Sequence, residues 1–440
     1  MEKYDCIVIG AGLAGLTCAY KLASENKKVL LIEKEKFVGG RTSSWNDGGF
    51  LVEAGFHRHI GFYKELPKIL NEVGVELNDI VEWEKEAEIK INNNKKMVLG
   101  ISPFHNPITF VKDILGNKEI LSLKDKLSMS KLFITGFYDY KFHPKELDKY
   151  SVLDYSKKLN ITNNVIEYVV TPLSTGIFFL PREKYSSKLF FGLFYPSLFH
   201  PISLRIGAYK GGMSDLIAEP IAKKFKELGG EILLNTKVNS LIIKNNKVLG
   251  VKLDKEIYSK CVVLATDIYN SKKLINNLKS ENINKIKKLP TTSAITLHIE
   301  LSKPMMPLDR TTFAPFTMMT SYTEESRTTF KNSKGRLSII LGNPDEYLKW
   351  SDEDILNKCI EEFKKIDIDI KDYILDYRVI RHENKFYNFG PNNDYLRPTT
   401  DSGIEGLVLA GDYTRQKMYA TMEGAVISGI NAYKFIIESI

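Results

Sequence analysis

The sequence predicts an α/β fold with an α+β region inserted into it, on three observations. Within the first 33 residues an apolar run, a glycine turn, a helical stretch and a second apolar run follow one another. Strand-rich sequence returns between residues 204 and 265, and again at 407 to 410. The stretches between these do not alternate strand with helix. At 440 residues the chain exceeds one small core, so two or three domains are expected.

Cys6-Ile7-Val8-Ile9 is a short continuous apolar run, as in a strand buried on both faces of a parallel sheet. Gly10-Ala11-Gly12-Leu13-Ala14-Gly15 follows at once, and Leu16 to Ser24 reads as a helix that Asn26 ends. Lys28-Val29-Leu30-Leu31-Ile32 is a second buried strand, closed by Glu33. This order is that of a Rossmann-type dinucleotide site. Gly10 permits the tight turn, Gly12 lets backbone approach a pyrophosphate, and Gly15 lets helix pack on strand. The helix N-terminus offers free N–H groups to phosphate. Glu33, 18 residues beyond Gly15, can accept hydrogen bonds from ribose hydroxyls and would repel the extra phosphate of NADP. Gly39-Gly40-Arg41-Thr42 then suggests a second backbone approach, with Arg41 as a phosphate ligand. NAD enzymes have no need of this loop and many FAD proteins carry it, so FAD is the expected cofactor.

In the middle, Gly211-Gly212-Met213 precedes a helix from Ser214 to Leu228, in which Pro220 predicts a break or kink. Gly229-Gly230 stops it. Strands are expected at 231–234, 238–243, 248–253 and 261–265, with Asn245-Asn246 as a turn. The first inserted stretch is rich in helix-compatible segments. The second holds a strand at Ser293 to Glu300 and a helix start at Ser351. At the far end, Leu407-Val408-Leu409-Ala410 is another buried strand, and Asp412 just after it can accept from a ribityl chain. Thr421 to Ile437 reads as a helix. Glu423 suits its dipole, and Gly424 and Ala425 let its N-terminus approach a flavin ring.

Net charge is +8, from scattered Lys rather than an Arg-rich stripe with aromatics, so nucleic acid is not an expected partner. Four cysteines without a CxxC pair indicate neither zinc nor a redox dithiol, and no metal site is expected. Met1-Glu2-Lys3-Tyr4 leads directly into a strand, so no cleaved leader and a cytoplasmic location are expected. Phe190 to Phe199, the longest greasy stretch, is about half a membrane span and contains Pro196.

Glu53-Ala54-Gly55-Phe56-His57 with Gly61-Phe62-Tyr63, Ala410 to Lys417, and Thr421 to Val426 together resemble the flavin amine oxidase superfamily. Within it, they resemble the plant- and cyanobacterial-type phytoene/ζ-carotene desaturases. Such proteins usually have Ser where Thr421 stands. The resemblance implies an FAD domain from residues 1–89, 204–270 and 396–440, and a substrate domain from 90–203 and 271–395. It also implies an apolar tunnel ending at the flavin and hydride transfer from an allylic C–H to flavin N5. The FAD contacts then implied are Gly10, Gly12, Leu13, Ala14, Gly15, Glu33, Lys34, Gly39, Gly40, Arg41, Thr42, Gly55, Phe56, His57, Val238, Ala265, Thr266, Gly411, Asp412, Met422, Glu423 and Ala425.

Two departures bear on the chemistry. Amine oxidases keep a Lys near flavin N5, where Thr296 stands here, and many hold FAD through a late Cys. No Cys follows Cys359, so noncovalent FAD is expected. His57 either polarises substrate or flavin, or hydrogen-bonds in a core. His59 is expected at the surface or behind the site, and Tyr413 either lines the tunnel or packs in the core. The expected substrate is an apolar isoprenoid, with quinone or oxygen as acceptor. The alternatives are a polyene or fatty-acid isomerase, an amine or porphyrinogen oxidase, and a flavin-binding sensor. A lipid substrate would enter from a bilayer, with Phe190 to Phe199 or Phe137 to Tyr140 as a peripheral contact on the inner membrane face; the alternative is that these aromatics are substrate-domain core.

Overall fold

The computed structural model describes residues 4–92, 95–100, 120–198 and 205–439. Five parallel strands form the heart of the first sheet. Their order is Glu231–Leu233, Val29–Ile32, Tyr4–Ile9, Glu256–Leu264, Leu407–Leu409. Val8, Leu30 and Val262 are fully buried, because helices and neighbouring chain cover both faces. Lys247–Lys252 and Ser240–Lys244 extend the early half of Glu256–Leu264 as an antiparallel meander. Their hairpin closes through Asn245 and Asn246, at φ 51° and 57°. Asparagine tolerates this left-handed region, and paired positive φ values match the twist of a two-residue hairpin.

Helix Leu13–Ser24 packs on helices Met422–Ser439 and Glu219–Glu227. A Cβ on Gly429 would sit 2.4 Å from the Ala14 carbonyl oxygen, so glycine sets that approach. The break expected at Pro220 is present as a π turn, Ser214–Ala218, running into helix Glu219–Glu227, with Pro220 in its first turn. Proline cannot donate to the carbonyls of the preceding turn, and the π turn is where the helix absorbs that loss.

The second sheet has seven strands, in the order Ile374–Tyr387, Thr291–Leu301, Gly335–Leu341, Met319–Glu324, Thr312–Phe313, Glu86–Asn92, Lys95–Gly100. The expected boundary at 89/90 thus falls inside a strand of this sheet. One face packs on helix Asp352–Lys365, where Ile295, Leu297 and Ile299 meet Ile355, Cys359 and Phe363. The alternate residues Ala294 and Thr296 face a large cavity. Ser351 caps that helix by accepting the Asp354 N–H.

Helices Leu123–Phe142 and Ser187–Phe194 lie against one another, so closely that a Cβ on Gly136 would fall 2.2 Å from the Phe191 ring. Phe190 and Phe191 are fully buried in this packing. They therefore form core and not a lipid-facing surface; Phe199 lies outside the described residues.

Candidate active site

A cavity of about 1520 Å³ is lined by residues of both sheets. At one end, two glycine loops form a continuous shelf of backbone. Gly10 has φ 102°, and a Cβ there would press on the Ala265 carbonyl oxygen at 2.8 Å. Gly39 donates its N–H to Ala11 O at 2.8 Å, and Gly12 and Gly39 pair as an isolated parallel bridge. In front of Gly12 the space is open: a Cβ would meet only the Gly39 oxygen, at 4.0 Å. Helix Leu13–Ser24 begins here without a side-chain cap and without acid in its first turn. Open space over bare backbone, facing uncapped N–H groups, fits the pyrophosphate of a dinucleotide.

Glu33 lines the same end. Its Oε2 accepts the Ala11 N–H at 2.8 Å and its Oε1 the Glu35 N–H at 3.0 Å. A carboxylate has about four acceptor sites, so two remain for ribose hydroxyls. Arg41 is bound at 2.6 Å to Asp412, tying the first loop to the last strand, and its guanidinium lies 4.5 Å from the Phe386 ring centre. The residues expected to hold the cofactor meet here with two exceptions, Gly15 and Glu423. Leu13, Ala14, Lys34, Thr42, Gly55, Phe56, His57, Val238, Ala265, Thr266, Gly411, Met422 and Ala425 all line the cavity beside those already named.

Gly15 is not on the wall. It packs behind the shelf, where a Cβ would be 1.9 Å from the Gly10 oxygen. Glu423 is also turned away: its carboxylate accepts the N–H groups of Lys64, Glu65 and Leu66 and so caps helix Glu65–Glu72. Tyr413 is buried, 3.1 Å from Ser271 Oγ, and belongs to the core.

His57 lines the cavity beside Gly55, and its Nδ1 is buried without a hydrogen-bond partner. Burial pushes its imidazole down to about 4, so it is neutral at pH 7. His59 is buried rather than exposed, 3.0 Å from the Tyr209 hydroxyl, because three aromatic rings enclose it.

The other end of the cavity is apolar. Met129, Phe133 and Phe137 come from one helix, Leu173 and Ile177 from Thr171–Phe178, and Phe194 and Leu198 from the next segment. Thr296 lies on the wall, and strand Thr291–Leu301 carries no Lys. Sequence reasoning missed His382, Phe386 and Asp267 on the wall. Asp267 had a local signal, as a helix cap after a buried strand; it accepts the Asn270 N–H at 2.9 Å. His382 and Phe386 had none, since only tertiary pairing brings their strand here.

A family profile described as flavin containing amine oxidoreductase matches residues 13–432. A chloroplastic/chromoplastic 15-cis-phytoene desaturase of Glycine max is 26% identical, over 100% of this chain and 80% of its own. The 15-cis-phytoene desaturase of Synechococcus elongatus is 23% identical, over 96% and 93%. The zeta-carotene desaturase of Synechocystis is 23% identical, over 98% and 97%. Among solved structures, an oxidoreductase from Methanosarcina mazei superposes with TM-score 0.78 at 17% identity, covering 98% of this chain and 99% of the other. Wild-type putrescine oxidase bound to putrescine gives 0.77 at 16%, covering 99% of each. The structural likenesses speak to the fold alone.

Proposed function

Because the chain belongs to the flavin containing amine oxidoreductases, it is a flavin-dependent oxidoreductase, and we propose that it desaturates an apolar isoprenoid-like polyene with noncovalently bound FAD. The observation that carries this reading is the shape and lining of one cavity. A glycine shelf suited to a dinucleotide runs into an apolar arm walled by Phe133, Phe137, Phe194, Leu173 and Ile177. Such an arm gains free energy by taking hydrocarbon out of water, roughly 25 cal/mol per Å² buried.

Bound FAD supplies a hydride acceptor at N5. The chain's part is to position an allylic C–H there and keep water away, which the apolar wall does. An alkene-stabilised cation that has lost hydride is a strong acid, so a weak base can take its proton. His57 lines the wall and its imidazole is neutral, and it is assigned that role. With Thr296 on the cavity wall and no Lys in its strand, a primary amine substrate is disfavoured. Quinone or oxygen serves as the final acceptor.

Substrate of this class enters from a lipid surface. Leu123, Leu127, Ile134, Tyr138 and Phe142 of one helix are all more than half exposed, and their spacing puts them on one face. The exposed Lys124, Lys131 and Lys141 accompany them, suited to anionic lipid. Leu198, half exposed, also lines the cavity. No helix among the described residues is long and apolar enough to cross a membrane. The contact is therefore read as peripheral.

The test is turnover of phytoene in liposomes with a quinone in stoichiometric assay. One quinone reduced per new double bond supports desaturation. A rearranged polyene with no quinone consumed would make the protein an isomerase, and amine-dependent peroxide would make it an amine oxidase.

A further inference from the structure

The Glu53-to-His57 segment contributes Gly55 and His57 to the cavity wall, and two histidines hold its backbone. His298 Nε2 lies 3.0 Å from the Glu53 carbonyl oxygen, and His382 Nε2 lies 2.5 Å from that of Ala54. A carbonyl only accepts, so each Nε2 carries a proton. Both rings are buried. His298 stands on the same strand face as Thr296 and Ala294, two and four residues away, so it reaches the segment from the cavity side of the sheet.

The chain of contacts continues beyond His298. Its Nδ1 lies 2.7 Å from Ser338 Oγ, its direct neighbour on the adjoining strand, and Ser338 Oγ lies 2.5 Å from Glu325 Oε2. Counting hydrogens leaves two arrangements of the protons. A neutral His298 with its proton on Nε2 has an acceptor at Nδ1, so Ser338 donates its one hydrogen there. Ser338 can then only accept from Glu325, which must carry a proton of its own. The other consistent arrangement has ionised Glu325 and a fully enclosed imidazolium. Burial, with the Arg336 guanidinium nearby, holds His298 well below its ordinary value. Burial raises the Glu325 carboxyl although Arg58, the Ser338 hydroxyl and Arg336 oppose the rise, with Asp309 on the other side of the balance. Both directions favour the neutral arrangement.

We propose that Glu325, as a carboxylic acid, sets the tautomer of His298 through Ser338, and that His298 and His382 are positioning residues that hold Gly55 and His57 against the flavin. The positioning half rests on the flavin reading of the cavity; the proton assignment does not. An isolated histidine could turn over between tautomers, and the wrong one would set a lone pair against the Glu53 oxygen. Glu325 removes that freedom.

The experiment is ¹⁵N-histidine NMR at neutral pH on the full chain without FAD, with the His298→Gln variant identifying the His298 signals. FAD titration of the same samples accompanies it. The expected spectrum shows His298 protonated at Nε2 and bare at Nδ1. Glu325→Gln leaves it unchanged, because the amide donates to Ser338 as the acid does, and FAD binds within about twofold of wild type. Ser338→Ala mixes the tautomers, and His382→Phe removes a donor. Each weakens FAD binding by about tenfold, the scale of one buried hydrogen bond lost. If Ser338→Ala does not fold, wild type and Glu325→Gln still decide. An imidazolium at His298, or Glu325→Gln disturbing the tautomer, would overturn the proton assignment. A wild type with the expected tautomer but no FAD binding would overturn the cofactor reading and the positioning role with it, leaving the relay in place.

Discussion

Gly12 and Gly15 belong to one turn and have opposite tasks, which a valine at the first and an alanine at the second separate. Space is open in front of Gly12, whereas a Cβ at Gly15 would meet the Gly10 oxygen at 1.9 Å. Gly12→Val is therefore expected to fold with an unchanged melting temperature and to bind FAD at least about tenfold more weakly, since its branches fill the phosphate space. Gly15→Ala is expected to lose roughly 1–3 kcal/mol of stability through forced backbone movement, read by urea unfolding. His57 makes a pH prediction. Its folded value, about 4, lies below the unfolded value near 6.5. The unfolded chain thus binds the extra proton first, and stability present above pH 6.5 is lost as pH falls toward 4. The loss from this residue is on the order of 3 kcal/mol. His57→Gln should flatten that part of the profile in urea melts at pH 7 and pH 4.5; an unchanged profile would place the acid sensitivity elsewhere.

Elements explain both what was readable and what was not. The glycine turn, Glu33 and the Asn245-Asn246 hairpin were legible because local backbone geometry dictates those residue types. Glu423 was misread for the same local reason. An acid in the first turn of a helix suits that helix's dipole, but this one reaches across to three N–H groups of helix Glu65–Glu72. Glu423→Ala is expected to lower stability by about 1–3 kcal/mol by stranding buried donors, with FAD affinity in the folded fraction little changed. A large loss of FAD affinity without loss of stability would return Glu423 to the cofactor site. The aromatic stretch was left open between core and lipid contact because hydrophobicity alone cannot tell core from membrane surface: Phe190 and Phe191 are buried while Ile134 and Tyr138 on the facing helix are exposed. Ile134→Glu is expected to abolish flotation with anionic liposomes and leave FAD binding intact; flotation of that variant as strong as wild type would remove this helix from the lipid contact.

At the scale of the molecule, the parallel sheet could be read from its continuous apolar runs, since burial on both faces leaves no other composition. The second sheet was barely legible. Its strand Ile374–Tyr387 is half-buried along most of its length and shows little alternation, so only pairing with Thr291–Leu301 defines it. That pairing delivers His382 and Phe386 to the wall, which is why neither was foreseen. The cavity is the product of both sheets together, and so is the central claim that flavin and a greasy polyene meet in it. The most direct test is the absorbance of the FAD-loaded protein, titrated anaerobically with phytoene in liposomes. The account predicts bleaching of the flavin band, recovery on adding a quinone, and a product with a longer conjugated system. A flavin that stays oxidised with phytoene and bleaches with a primary amine, or a protein that takes up no FAD at all, would contradict it.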